Sequence, residues 1–289
     1  MSESVIADFG GRLIVPERGH ETPVHGRVVL SQRRLVLATD DGKTTVPLSS
    51  VFDIVVGDVP HGLQKFFDDS VTVAYRRDGD QHVAVVESDG DNIDRFVTLL
   101  FRAHLSGSEA LVKHPARVGG RANDGANARR ATLSLDAGRV TFDTGDSSFE
   151  IDLRVVSDFA RTNRTLAGQK RSVIAVRHVP DGAALLSLVS LPSGRLLNLL
   201  GRYLRLEYDE MQEELAEIDL SEDELEVLLG IYSTGEGANL ASMLDVDPSR
   251  LTMVLNSLEE RGLVVNDDVT KLSPMGRTVV NDRLEDVNT

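Results

Sequence analysis

Cysteine is absent from the 289 residues, which removes disulfides, thiol catalysis and Cys-ligated zinc or iron–sulfur sites. Tryptophan is absent too, and aromatics amount to only 4%, so any core must be built mainly from Val, Leu and Ile. No stretch approaches the ~20 apolar residues that a membrane-spanning helix needs. The longest apolar tracts, such as 183–191, are strand-sized. Nor does Met1-Ser2-Glu3-Ser4-Val5-Ile6 pair a basic region with an apolar run, so it does not read as a signal peptide. These absences predict a cytoplasmic protein with no membrane insertion. Lysine is scarce as well, 5 residues against 26 Arg, in a chain of net charge −15. Acid excess with lysine depletion points to a high-salt cytoplasm, although an acidic protein from a GC-rich genome would share the arginine bias. At ~1 M salt the Debye length is only ~3 Å, so recognition by charge has to occur at contact.

The motifs of chemistry are missing too. There is no Walker loop, and no Gly-x-Gly-x-x-Gly between strand and helix; the pairs Gly10-Gly11 and Gly119-Gly120 lack the third glycine. No Ser sits in a Gly-x-Ser-x-Gly elbow. The seven His residues, at 20, 25, 61, 82, 104, 114 and 178, are scattered rather than spaced as ligands. The pairs Asp40-Asp41 and Asp68-Asp69 read as solvated charge in turns. No catalytic residue, cofactor or metal is expected, and an enzyme is not the reading.

What is present is β pattern, twice. From Gly26, short β-branched runs alternate with turn residues such as Asp40-Asp41-Gly42 and Asp78-Gly79, and Asn92–Leu105 then switches to helical period. Ile93, Phe96, Val97, Leu100, Phe101 and His104 fall on one face of that helix. Residues 106–128 are rich in Gly, Ala and Asn and read as a connector. The programme then restarts. Leu30 and Leu133 lie 103 residues apart, as do Leu48 and Ile151; Asp53 and Asp158 end matching segments, and Ser70-Val71-Thr72-Val73 matches Ser172-Val173-Ile174-Ala175. An internal duplication is the economical reading. Six or seven strands closed by a helix is the plan of pleckstrin-homology-like barrels, by analogy of element order. The second closing helix runs on to about Ile218. Ser221-Glu222-Asp223-Glu224 is then a capping box, and Asp247-Pro248 an N-cap with Pro at the first helical position. With a helix over Gly237–Leu244, a hairpin around Asn266-Asp267-Asp268 and a last helix from Pro274, the end of the chain reads as a winged helix. The predicted class is α+β: a first module over 1–105, a linker over 106–128, a second module over 129–218, and a winged-helix domain over 219–289.

Charge separates these parts. Residues 26–105 hold 9 basic and 12 acidic groups, residues 129–209 hold 12 and 9, and residues 219–289 hold 5 and 15. The second copy is therefore cationic within an anionic chain, and Arg161, Arg164, Lys170 and Arg171 gather around the Gly168 loop. The equivalent loop of the first copy, 60–69, has only Lys65. A docking site for an anionic partner and simple charge balance both fit this pattern. On the helix after Asp247, Arg250, Thr252 and Asn256 are types that can read bases. Duplex binding, however, draws on Lys and Arg at phosphates, and this module is strongly acidic, so DNA is not the expected partner.

Three segments, Pro23–Ser31, Pro47–Ile54 and His114–Gly120, followed by the winged-helix pattern, resemble the archaeal taxis adaptor family CheF over nearly the whole chain. The resemblance implies a cytoplasmic protein that connects the phosphorylated response regulator CheY to the switch proteins of the archaellum motor. It supplies no residue-level interface, so Arg161, Arg164, Lys170 and Arg171 stand as the candidate partner site on charge alone. The competing reading is a winged-helix transcription regulator, and a lipid-binding barrel comes third.

Overall fold

The computed structural model describes residues 4–57, 70–180, 183–216, 218–234, 240–244, 247–266 and 270–287. The loop 60–69, the Asp181-Gly182 turn, residues 237–239 of the expected second C-terminal helix and residues 267–269 of the expected hairpin lie outside them.

The first sheet has seven strands: β1 (Val5–Ile14), β2 (Val24–Ser31), β3 (Arg34–Thr39), β4 (Gly42–Pro47), β5 (Val51–Val56), β6 (Ser70–Arg77) and β7 (Asp80–Glu87). They run in the order β4-β3-β2-β1-β7-β6-β5, and helix α1 (Gly90–Leu105) closes the sheet. Sequence reading began the β pattern at Gly26 and missed β1, because Gly10-Gly11 interrupt its alternation. The structure explains the glycine: a Cβ on Gly11 would stand 2.4 Å from the Glu87 carbonyl oxygen. Only a residue without a side chain lets β7 approach β1 this closely. Helix α1 buries Ile93, Phe96, Val97, Leu100, Phe101 and Leu105, an i, i+3, i+4 stripe, against that sheet.

The second sheet repeats the plan. Its strands are β8 (Glu109–Val118), β9 (Arg121–Ala122), β10 (Arg129–Asp136), β11 (Arg139–Asp143), β12 (Ser148–Asp152), β13 (Val156–Leu166), β14 (Gln169–His178) and β15 (Leu185–Ser190). The order β12-β11-β10-β8-β15-β14-β13, with β9 paired to β8, is that of the first sheet strand for strand. Here the reading of 106–128 as a connector is corrected. Residues 109–118 are a ten-residue strand hydrogen-bonded to both β10 and β15. Its buried positions include Ala110 and Ala116, and His114-Pro115 interrupts it, so the apolar alternation is too faint to read. Helix α2 (Gly194–Ala216) closes this sheet as α1 closes the first.

Register also corrects the repeat spacing. The Leu48 amide donates to the Arg33 carbonyl and the Leu153 amide to the Gly138 carbonyl, both at 2.8 Å, so Leu48 corresponds to Leu153, not Ile151. Likewise Leu30 corresponds to Leu135, since the strand ends on either side of the two turns match. The earlier spacing is two residues short, and a two-residue slip preserves in/out alternation, so the pattern could not expose it. Asp53 and Asp158 do correspond; each sits at the same β-bulge.

After α2 come α3 (Glu222–Thr234), α4 (Leu240–Met243), α5 (Pro248–Glu260), the paired strands β16 (Val264–Asn266) and β17 (Thr270–Leu272), and α6 (Pro274–Val287). The predicted caps form. Glu224 accepts from the Ser221 amide at 2.9 Å, while the Ser221 hydroxyl accepts from the Glu224 amide. Asp247 accepts from the amides of Ser249 and Arg250. Burial pushes the Glu224 carboxyl pKa up, but the Ser221 amide, the Ser257 hydroxyl and the Arg261 guanidinium pull it down to about 2. One carboxylate thus ties α3 to α5.

Candidate functional site

The expected cationic site lies on the β13–β14 hairpin, whose turn is Ala167 and Gly168, both at positive φ (49° and 76°). Hairpin register decides which side chains share a face, because directly opposed residues do. Arg164 opposes Arg171 and Thr165 opposes Lys170. Arg164 and Arg171 therefore stand on one face with Val173, and Lys170 and Arg161 on the other with Ile174. The four residues named from sequence do not form one patch. Arg161 donates to Ser172 at 3.0 Å and to Asn198 of α2, which fixes it beside the start of that helix. Arg171 reaches Gln169 at 2.6 Å and Arg164 its neighbour's carbonyl at 3.2 Å, local contacts that leave both exposed.

The same register shows what sequence reading missed. Lys113 opposes Leu188, Arg117 opposes Leu186, and Arg130 opposes Leu111. Leu188 and Leu186 in turn oppose Ala175 and Arg177. Lys113, Arg117, Arg130, Arg164, Arg171 and Arg177 thus share one face of β8, β10 and β13–β15. The carboxylates placed on the same strands and face are Glu109, Asp136 and Asp158, and Asp158 already pairs with Arg177. Between the arginines lies a small apolar cluster of Ala116, Leu166, Val173 and Leu188, separate from the main core. The half of this face on β11–β12, by contrast, carries Asp143, Glu150 and Asp152 against a single cation, Arg139, which pairs with Glu150. The sheet surface is polarised, cationic toward the long hairpin and anionic at the opposite edge.

On the C-terminal helices, Arg250 forms an ion pair with Asp223, and Thr252 donates to the Pro248 carbonyl at 2.9 Å. Two of the three base-reading candidates are engaged within the module, while Asn256 is exposed. Among the described residues no helix is long and apolar enough to cross a membrane.

Residues 5–210, both sheets and most of α2, match the family model described as Archaeal Chemotaxis signal transduction system protein F. The molecule is therefore a taxis signal-transduction protein. Taxis protein CheF2 of Halobacterium salinarum is 47% identical over 288 residues, covering 100% of each chain. Taxis protein CheF1 of the same organism is 28% identical over 242 residues, covering 81% of this chain and 79% of its own. The chain belongs to the archaeal CheF family. The acidic, lysine-poor composition is in keeping with relatives from a haloarchaeon.

Proposed function

We propose that the protein is a cytoplasmic adaptor that binds the phosphorylated response regulator CheY and links it, by protein–protein contact without turnover, to the switch proteins of the archaellum motor. The observation that carries this reading is the cationic half-face of the second sheet. A phosphorylated receiver domain is acidic, and exposed guanidiniums are the groups that pair bidentately with carboxylate or phosphoryl oxygens. The half-buried fringe of the apolar cluster between them, Leu111, Ala175 and Leu186, supplies contact that salt does not screen. On this reading each sheet with its closing helix is a pleckstrin-homology-like module, the first over 1–105 and the second from about 109 to 218. Residues 219–289 are a winged-helix domain used as a protein platform. Its net charge and the Arg250–Asp223 pair argue against duplex DNA as its partner.

The test separates the two faces of the hairpin. Arg130, Arg164 and Arg171 changed together to Ser should weaken binding to phosphorylated CheY by roughly tenfold or more, measured by calorimetry in multimolar KCl. Arg161→Ser with Lys170→Ser should change it much less. Unchanged affinity in the triple variant removes the docking face, and a promoter-length duplex shifted at native salt would favour the transcription-regulator reading.

A further inference from the structure

The first sheet, the end of α1 and the start of α2 enclose a cleft of about 630 Å³, away from the docking face proposed above. Its floor is apolar, formed by Leu48, Val51, Phe52, Leu196 and Leu199. Arg33 and Arg195 stand on its rim among Gln32, Ser49, Ser193 and His104, and no carboxylate lines it. The Phe52 ring is flanked by two guanidiniums, Arg195 at 5.2 Å and Arg76 at 5.4 Å from its centroid. Among the described residues none of Arg33, Arg76 and Arg195 has an ion-pair partner, whereas nearby Arg77 and Arg202 pair with Glu17 and Asp53. In a chain with 46 acidic residues, three guanidiniums grouped without a carboxylate are a concentration of positive charge that no carboxylate among the described residues neutralises.

The repeat shows what fills this place elsewhere. The turn carrying Arg33 corresponds to the turn carrying Gly138, through the matching hydrogen bonds to Leu48 and Leu153. At Gly138 the amide donates to the Glu207 carboxylate at 2.8 Å, and the other Glu207 oxygen takes Arg102 at 2.7 Å. The second copy therefore seats a carboxylate of its own beside this turn. The first copy offers cations there and, among the described residues, supplies no acid.

We infer that the cleft is a second binding site, which receives an acidic, apolar peptide segment of another protein: a hydrophobic side chain against Phe52 and Leu196, with an Asp or Glu carboxylate between Arg33 and Arg195. Charge complementarity selects the acid, and the apolar floor selects a chain segment over a small anion, which would leave that floor wet. A nucleic-acid strand would want phosphate contacts along a continuous groove, and the cations here converge on one aromatic ring instead. The inference does not depend on which protein docks on the second sheet.

The experiment is a selection on the full-length protein from a pooled library of 12-residue peptides built from Asp, Glu, Leu, Phe and Ser, in multimolar KCl. Enriched peptides are then measured by fluorescence anisotropy on the parent and on the double variant Arg33→Ser with Arg195→Ser. Neither arginine has an ion pair to lose among the described residues, so the variant should melt with the parent; Phe52→Ser is a second variant aimed at the floor. The expected result is that enriched peptides hold both an acid and Leu or Phe, and bind each variant roughly tenfold or more weakly. Failure to enrich any peptide overturns the inference, as does equal affinity for parent and both variants. Arginine-dependent binding of citrate, inorganic phosphate or a 12-nucleotide single strand, with no such peptide, overturns it in favour of that ligand.

Discussion

His114 and His178 share one hydroxyl. The Ser187 oxygen lies 2.7 Å from His114 Nδ1 and 2.9 Å from His178 Nε2, and the two rings are 5.7 Å apart. His114 also stacks on Phe149 at 4.1 Å. One hydroxyl can donate to one imidazole nitrogen and accept from another, so it joins two neutral rings, and protonating both would leave its O–H no ring nitrogen to donate to. Burial pushes the pKa of His178 down to about 4, with neighbouring His114 adding to the effect, and burial lowers His114 as well. The sign follows directly. Between about 6.5 and 4 the unfolded chain takes up protons that the native state refuses, so stability is whole above 6.5 and falls as the pH drops. At pH 5 the loss through His178 alone should be about 2 kcal/mol relative to pH 7.5. Urea unfolding at the two pH values reads it, and His178→Leu should flatten the difference. Parallel pH slopes in parent and variant would refute the assignment.

At the scale of elements, the seam between β1 and β7 joins the two halves of the first sheet, and Gly11 permits it. Gly11→Ala sets a methyl group against a backbone oxygen that cannot rotate away, and should cost about 1–3 kcal/mol. Gly10→Ala meets nothing nearer than 3.9 Å and should be neutral to slightly stabilising. Equal effects of the two on the denaturation midpoint would mean that the seam relaxes freely. The same seam shows how far the sequence could be read. Helix α1 was legible because six large side chains recur at helical spacing, and the caps at Ser221 and Asp247 because capping chemistry is local. Strands β1 and β8 were not, since glycine, alanine and proline blunt the alternation that marks a strand. The cationic surface was half legible. Arg164 and Arg171 stood out as a run, but assigning them to one face and Arg161 to the other needs hairpin register. Lys113, Arg117 and Arg130 join them only through the strand order, which places β8 between β10 and β15. The match of Ser70 to Ser172 was one residue out: Ala74 opposes Asp53 as Arg177 opposes Asp158, so Ser70 corresponds to Val173. A one-residue slip reverses every face, and only the structure could detect it.

For the whole molecule, the question is what makes two copies of one plan into a single body. The main apolar core runs without a break from the first sheet through α1 and α2 to the second sheet and into α3, α5 and α6. Across it lies a polar junction centred on Glu207, which is 6% exposed. Its carboxylate takes Arg102 of α1 and the amide of Gly138 in the β10–β11 turn. Beside it the Tyr203 hydroxyl accepts from Arg102 at 3.2 Å and donates to the Asp136 carbonyl at 2.9 Å. Burial raises the Tyr203 pKa, which keeps that hydroxyl protonated as a donor. Removing the acid leaves a half-buried guanidinium and a peptide amide without their partner, a change that costs more than the intact pair contributes. Glu207→Ala should therefore destabilise the protein by about 3 kcal/mol, and Glu207→Gln, which keeps an acceptor for the Gly138 amide, by less. If the junction couples the copies, the alanine variant should also broaden or split the denaturation transition, because each sheet retains its own closing helix. A single transition with an unchanged midpoint would show that the shared apolar core, without Glu207, is enough to hold the two sheets together.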